Sequence, residues 1–164
     1  MPLTADDQRH LTAAEGYAAL GMYLDANAEL EEIDPEVRQV AEVLTVRLKI
    51  YRGLEKWELM QTVAGRLAAH DPDNAQWLIS LAYATRRAES IEAARSILLE
   101  AVERLPDEPI LHYNLACYEC VMGEVEVAKA RLKHVFKMSP RVRLMALEDE
   151  NLRGVWDSLG DCAR

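Results

Sequence analysis

The sequence is 164 residues long, half of them hydrophobic with a single Phe, and carries a net charge of −9. That length makes one domain, which if compact buries about 70% of its unfolded surface. A core of Leu, Ala, Val and Ile suits close-packed helices better than sheets, and a polyanion of this sign repels nucleic acid unless it carries a local basic patch.

The stretch Met1–His10 holds Asp6 and Asp7 and no apolar core, so it does not read as a secretory signal. No apolar run approaches the ~20 residues that span a bilayer. Cys117, Cys120 and Cys162 are odd in number and make no disulfide framework. These features predict a soluble, cytoplasmic protein with no membrane association.

In chain order, Thr4 and Asp7 cap a first helix that runs to about Leu20, with Gly21 at the bend. A second helix carries Ala26, Leu30 and Ile33 inward until Asp34-Pro35, where Asp caps and Pro begins a third helix over about 35–53, closed by Gly53. The fourth spans about 56–70, and Asp73 or Asn74 caps a fifth over about 74–87. A sixth covers about 90–104, and Pro106 and Pro109 bracket the turn into a seventh. Gly123 breaks that one from an eighth, and Ser139-Pro140 opens the next. Beyond lie Leu144, Leu147, Leu152, Val155 and Trp156, with Asp149 a cap between two short helices. The end, Gly160–Arg164, is expected to fray.

A period of 34 residues runs through these elements. Ala14, Leu48, Ala82 and Ala116 form one column, and Ala26, Met60, Ala94 and Ala128 a second. Leu30, Ala64, Leu98 and Leu132 form a third; Ile33, Leu67, Ala101 and Val135 a fourth. Pro72, Pro106 and Pro140 share the terminal column. Small residues such as Ala116 and Ala128 let two antiparallel helices approach closely. The repeats are about 8–34, 35–73, 74–107 and 108–140. Glu150 then falls where a small residue belongs, so 141–160 reads as a cap that covers the last apolar face.

This pattern resembles the tetratricopeptide repeat (TPR) family, whose 34-residue signature is W-x2-L-G-x2-Y, then A-x3-F, then P. Leu81-Ala82 and Leu115-Ala116 match the L-G pair, Tyr17 and Tyr51 the tyrosine, and Ala94 with Leu98 and Ala128 with Leu132 the A-x3-F element. The resemblance covers roughly residues 8–140. It lacks the opening tryptophan, and the second repeat carries Arg47, Met60 and Ala64 where the family prefers apolar, small and bulky residues. The resemblance implies an all-α solenoid of four helix-turn-helix repeats, a single domain over 1–164, acting as a non-enzymatic scaffold or adaptor for other proteins.

Residues that could carry chemistry read otherwise. Cys117-x-x-Cys120 lies in the middle of a helix, away from the N-terminal dipole that activates redox pairs. A zinc site would need two further ligands at matching spacing. Small packing or groove residues is the preferred reading, with redox and metal roles behind it. His10, His70, His112 and His134 belong to no nucleophile motif, no Gly-rich phosphate loop is present, and no cofactor is expected. Carboxylates such as Glu29, Glu31, Glu32, Glu124 and Glu126 read as a solvated face.

The resemblance implies that the first helix of each repeat lines a concave groove. Beside the Ala14 column these positions are Glu15 and Ala18, then Thr45, Lys49 and Arg52. Ile79, Tyr83, Arg86 and Arg87 follow, then Ile110, Tyr113, Cys117, Cys120 and Val121. An acidic chain thus places four cations mid-groove with an aromatic and apolar strip beyond them. The partner-binding set is Lys49, Arg52, Ile79, Tyr83, Arg86, Arg87, Ile110, Tyr113 and Cys117, and the partner a peptide or helix pairing acidic residues with a bulky apolar one. Arg52, Arg86 and Arg87 also fall in the last turns of their helices, where cations complement the dipole, so both readings stay open. The Lys-Asn pair with which some relatives clamp a chaperone's carboxylate tail is not reproduced. A second functional class is a small secretion-type chaperone holding an apolar client segment.

Overall fold

The computed structural model describes residues 2–158, so the expected fraying of Gly160–Arg164, Cys162 and the last two residues of the cap lie outside the described residues. Among these residues there is helix and no strand: α1 (Ala5–Ala19), α2 (Tyr23–Glu32), α3 (Ala41–Gly53), α4 (Trp57–His70), α5 (Ala75–Ala88), α6 (Ile91–Arg104), α7 (Pro109–Val121), α8 (Val125–Met138) and α9 (Val142–Ala146), then a 3-10 helix, Glu150–Ser158. The chain forms two compact units divided after Pro72. In the N-terminal unit α1 pairs with α2 and α3 with α4, and α3 packs back on both members of the first hairpin. The C-terminal unit holds the hairpins α5–α6 and α7–α8, with α9 and the 3-10 helix against α7 and α8.

Every residue of the four columns is buried, from 0% exposure at Ala14, Ala82 and Ala116 to 6% at Leu48. The second repeat shows why its departures are tolerated. Elsewhere the second helix of the repeat sets a small residue one turn before a large one: Ala26 and Leu30, Ala94 and Leu98, Ala128 and Leu132. Here Met60 precedes Ala64, and both are buried. The order is swapped and the volume kept, which a core accepts at small cost. Arg47, half-buried, is satisfied by Glu31 Oε1 at 2.9 Å and the Tyr51 hydroxyl at 3.4 Å.

The caps follow sequence. Thr4 and Asp7 form a reciprocal capping box on α1, and Asn74 rather than Asp73 caps α5. One expected element is shorter. The third helix begins at Ala41, not near Pro35, and residues 34–40 form a turn. Asp7 Oδ1 accepts the Asp34 N–H at 2.9 Å, and Arg38 Nε donates to the Ile33 carbonyl at 2.6 Å while its guanidinium also holds Glu31. These bonds tie the connection to α1 and α2, and Val37, 1% exposed, plugs the core between them. Extending the helix would pull Val37 out.

The turn inside each hairpin has its own period. Gly21, Glu55 and Gly123 stand 34 or 68 residues apart, and all have positive φ, at 75°, 55° and 85°. Glu89, at the same register, avoids it because α5 runs on to Ala88. Gly53 therefore does not make the second bend as expected. Its missing Cβ leaves room for the Tyr23 ring, whose Cζ lies 2.2 Å from where that atom would stand.

Candidate functional site

The N-terminal unit contributes α3 to the expected groove. Lys49 and Arg52 are exposed there, next to Leu48 and one turn beyond it. Thr45 spends its hydroxyl on the Ala41 carbonyl at 2.7 Å, so it offers a methyl rather than a donor. Glu15 is exposed and Ala18 half-buried on α1.

The C-terminal unit contributes α5 and α7. Arg87 is exposed; Ile79, Tyr83 and Ile110 are half-buried. Val121 is 47% exposed, whereas Tyr113, Cys117, Cys120 and part of Arg86 are covered by the chain itself. Tyr113 and Cys117, expected to line an open groove, are each 4% exposed because the C-terminal segment sits on them. Tyr113 donates its hydroxyl to Asp149 Oδ2 at 2.8 Å, and the Cys117 thiol reaches the same oxygen at 3.5 Å. Arg86 Nη1 donates to Asn151 Oδ1 at 3.1 Å and stacks its guanidinium 5.2 Å from the Tyr118 ring centre, a cation–π contact. Its dipole position on α5 therefore does not exhaust its role. Gly154 lies on Cys120: a Cβ there would stand 3.3 Å from the sulfur. Leu152 and Val155 are fully buried beneath the segment.

Asp149 organises this contact. Burial raises its pKa, but hydrogen bonds from the Tyr113 hydroxyl, the Asn151 side chain and N–H, and the Cys117 thiol outweigh that and hold it below the ordinary carboxylate range. It also caps the 3-10 helix through the Asn151 N–H at 2.9 Å, the capping role expected of it. Burial first, then the charge of Asp149, pushes the Cys117 thiol well up. A thiol kept protonated is a weak donor and a poor nucleophile, which fits packing rather than redox chemistry. Burial likewise raises Cys120, and both thiols are free. Among the described residues no group of three or more His, Cys, Asp or Glu side chains gathers as metal ligands would.

Several carboxylates that read as solvated are engaged. Glu29 Oε2 meets His10 Nδ1 at 2.7 Å, Glu31 bridges Arg38 and Arg47, and Glu124 binds Arg95 at 2.9 Å. Glu119 carries no sequence signal and is 0% exposed on α7. Arg131 of α8 grips both of its oxygens, at 2.8 and 2.7 Å, and Arg95 of α6 stands 4.0 Å away. His112 turns Nε2 to the Pro106 carbonyl at 2.8 Å and its other nitrogen toward Arg131 at 3.4 Å, with His134 edge-on at 5.4 Å. This network joins three helices and is structural. Asn114, which donates to the Ile110 carbonyl at 2.8 Å, is structural too.

No helix among the described residues is long and apolar enough to cross a membrane. No protein-family profile matches the sequence, and no curated protein matches it either. Solved structures do. A MamA protein is 15% identical, with 96% of this chain and 90% of that one covered at a TM-score of 0.72. PilW, described as a widely conserved type IV pilus biogenesis factor, is 18% identical over 97% of this chain and 74% of its own, also at 0.72. A thermophilic TPR protein of Thermus thermophilus is 22% identical over 94% and 83%, at 0.67. Identities this low speak for the fold, and this chain has the all-α helix-hairpin repeat fold of tetratricopeptide-repeat proteins.

Proposed function

We propose that the chain is a non-enzymatic protein-interaction module, an adaptor that binds a partner peptide or helix on the inner helices of its repeats, residues 1–164 serving as one domain. The observation that carries this reading is the division of labour on α3 and α5. The column positions are spent on packing, while Lys49, Arg52 and Arg87, beside them, are exposed in a chain of net charge −9. Cations held out on the inner helices of an acidic protein suit a partner with acidic residues, and half-buried Ile79 and Tyr83 suit a bulky apolar one. The repeat fold, which works as a scaffold by its surface rather than by a reactive centre, supports the same reading. A cytoplasmic location belongs to it, and nucleic acid does not suit the charge.

The experiment is affinity capture from native extract, with Lys49→Glu plus Arg52→Glu and Tyr83→Ala against the outer-face control Glu100→Lys. Loss of the partner in the first two and its retention in the control supports the reading. The reverse ranking moves the site to the outer helices.

A secretion-type chaperone is the alternative. Leu20 and Leu24, 75% and 74% exposed around the first hairpin bend, with Met22 between them, favour it as apolar surface for a client. Co-purification of a secreted protein, lost on Leu20→Ser with Leu24→Ser, would select this reading over the adaptor.

A further inference from the structure

We infer that residues 149–158 are a displaceable occupant of the partner site in the C-terminal unit, and that the partner there is a protein segment of the same chemistry, which competes with it. The inference rests on the adaptor reading and names its ligand and its regulation.

The contact is keyed by polar groups as well as by shape. Three donors on the inner helices converge on two side chains of the segment: the Tyr113 hydroxyl and Cys117 thiol on Asp149, and the Arg86 guanidinium on Asn151, 65 residues away. An end cap needs only to cover an apolar face and turn a polar one to water. It does not need a guanidinium from α5, one repeat further back. The apolar half of the key is Leu152 and Val155, both 0% exposed. The segment thus presents a carboxylate, an acceptor amide two residues on, and apolar side chains three and six residues on. That is the acidic-plus-apolar chemistry the inner helices suit, supplied by the chain itself.

The occupant is weakly built. Its 3-10 helix is 9 residues long, whereas such helices seldom pass about 3–4 because their hydrogen bonds are poorly aligned. The preceding α9 has 5 residues, and around it Leu144, Met145 and Leu147 stand 71%, 50% and 51% exposed. Apolar side chains left in water belong to a segment whose seat does not use all it offers. Glu150 at the column position also shows that no fifth repeat forms here. Low local stability and polar keying together describe a part that opens without the repeats unfolding.

The test is amide hydrogen exchange on the full chain, alone and with a synthetic peptide of residues 146–158. The amides of 151–157 should exchange at least about tenfold faster than those of Leu115–Cys120 in α7, by opening while α7 stays closed. Equal protection in both would make the segment an integral part of the fold and overturn the inference. Labelled peptide should bind the Asp149→Ala, Asn151→Ala chain at least about tenfold more tightly than the unaltered chain, and adding Tyr113→Phe should weaken it again. Absence of binding to a variant that keeps its helical circular dichroism would also overturn it. If that variant does not fold, exchange in the unaltered chain decides alone. Failure here with partner capture still dependent on Lys49 and Arg52 removes the displaceable occupant and leaves the adaptor. Peptide binding without any such capture does the opposite.

Discussion

The Tyr113 hydroxyl donates to Asp149 Oδ2 at 2.8 Å, joining residues 36 apart and closing the C-terminal segment onto α7. With its pKa held below the unfolded value near 3.9, Asp149 contributes stability that is fully present above that value and is lost as pH falls through the lower, folded one. The Asp149 contacts therefore keep their full strength at neutral pH and weaken only in acid, below about pH 4. Asp149→Asn should cost about 1–2 kcal/mol at pH 7 and flatten the acid limb of the stability curve. Denaturant melts at pH 7 and pH 3 measure both, and an unchanged acid limb would assign the loss to other carboxylates.

Glu55 adopts the left-handed conformation that Gly21 and Gly123 adopt at the same register. A side chain there costs about 1–2 kcal/mol in strain, part of which glycine recovers despite its greater unfolded-state freedom. Glu55→Gly should stabilise by about 0.5–1 kcal/mol, whereas Gly123→Ala should destabilise by about 1 kcal/mol. Opposite signs at these two sites are the readout; two losses would mean that Glu55 makes a contact outweighing its strain.

Gly53 and Tyr23 form a knob and its hole. The ring fills the space of a Cβ, so Gly53→Ala must move an aromatic packed against the core and should cost about 1–3 kcal/mol. The double change Gly53→Ala, Tyr23→Ala should cost less than the sum of the single ones, since the clash disappears with the ring. Additive losses would refute direct contact.

Glu119 is fully buried and gripped twice by Arg131. Glu119→Ala strands a guanidinium, and about 3–5 kcal/mol should be lost; replacing both members by apolar residues, Glu119→Leu with Arg131→Met, should recover most of it. A double variant no better than the single one would show that Arg95 and His112 depend on the pair.

Legibility in sequence followed the range of the interactions. The columns are readable because each repeats one position of the hairpin at a fixed period of 34 residues, and volume is nearly all they require. The cap at Asn74 and the box at Thr4 and Asp7 are local and were readable for the same reason. Pro35 misled because a proline after Asp marks a helix start only when nothing distant competes. Asp7, 27 residues earlier, takes the Asp34 N–H. Glu119 looked like any surface carboxylate, its partner being on the next helix. Tyr113 and Cys117 lie on α7, and their covering has no sequence signal, since the donor–acceptor match to Asp149 has no period to reveal it.

In the proposed adaptor the inner-helix residues divide by what each does to binding. Lys49, Arg52 and Arg87 are exposed, and exposed ion pairs contribute only about 0–1 kcal/mol each. In the proposed adaptor their charge acts at a distance instead, steering an acidic partner in. Lys49→Glu with Arg52→Glu should therefore slow association and flatten its salt dependence with little change in dissociation. Tyr83, half-buried, is the aromatic a partner would desolvate, and Tyr83→Ala should cost about 2 kcal/mol, read as faster dissociation at an unchanged association rate. Surface-bound partner with kinetics followed from low to high salt separates the two. If the charge reversals change only dissociation, the cations form desolvated contacts and the partner lies directly on α3.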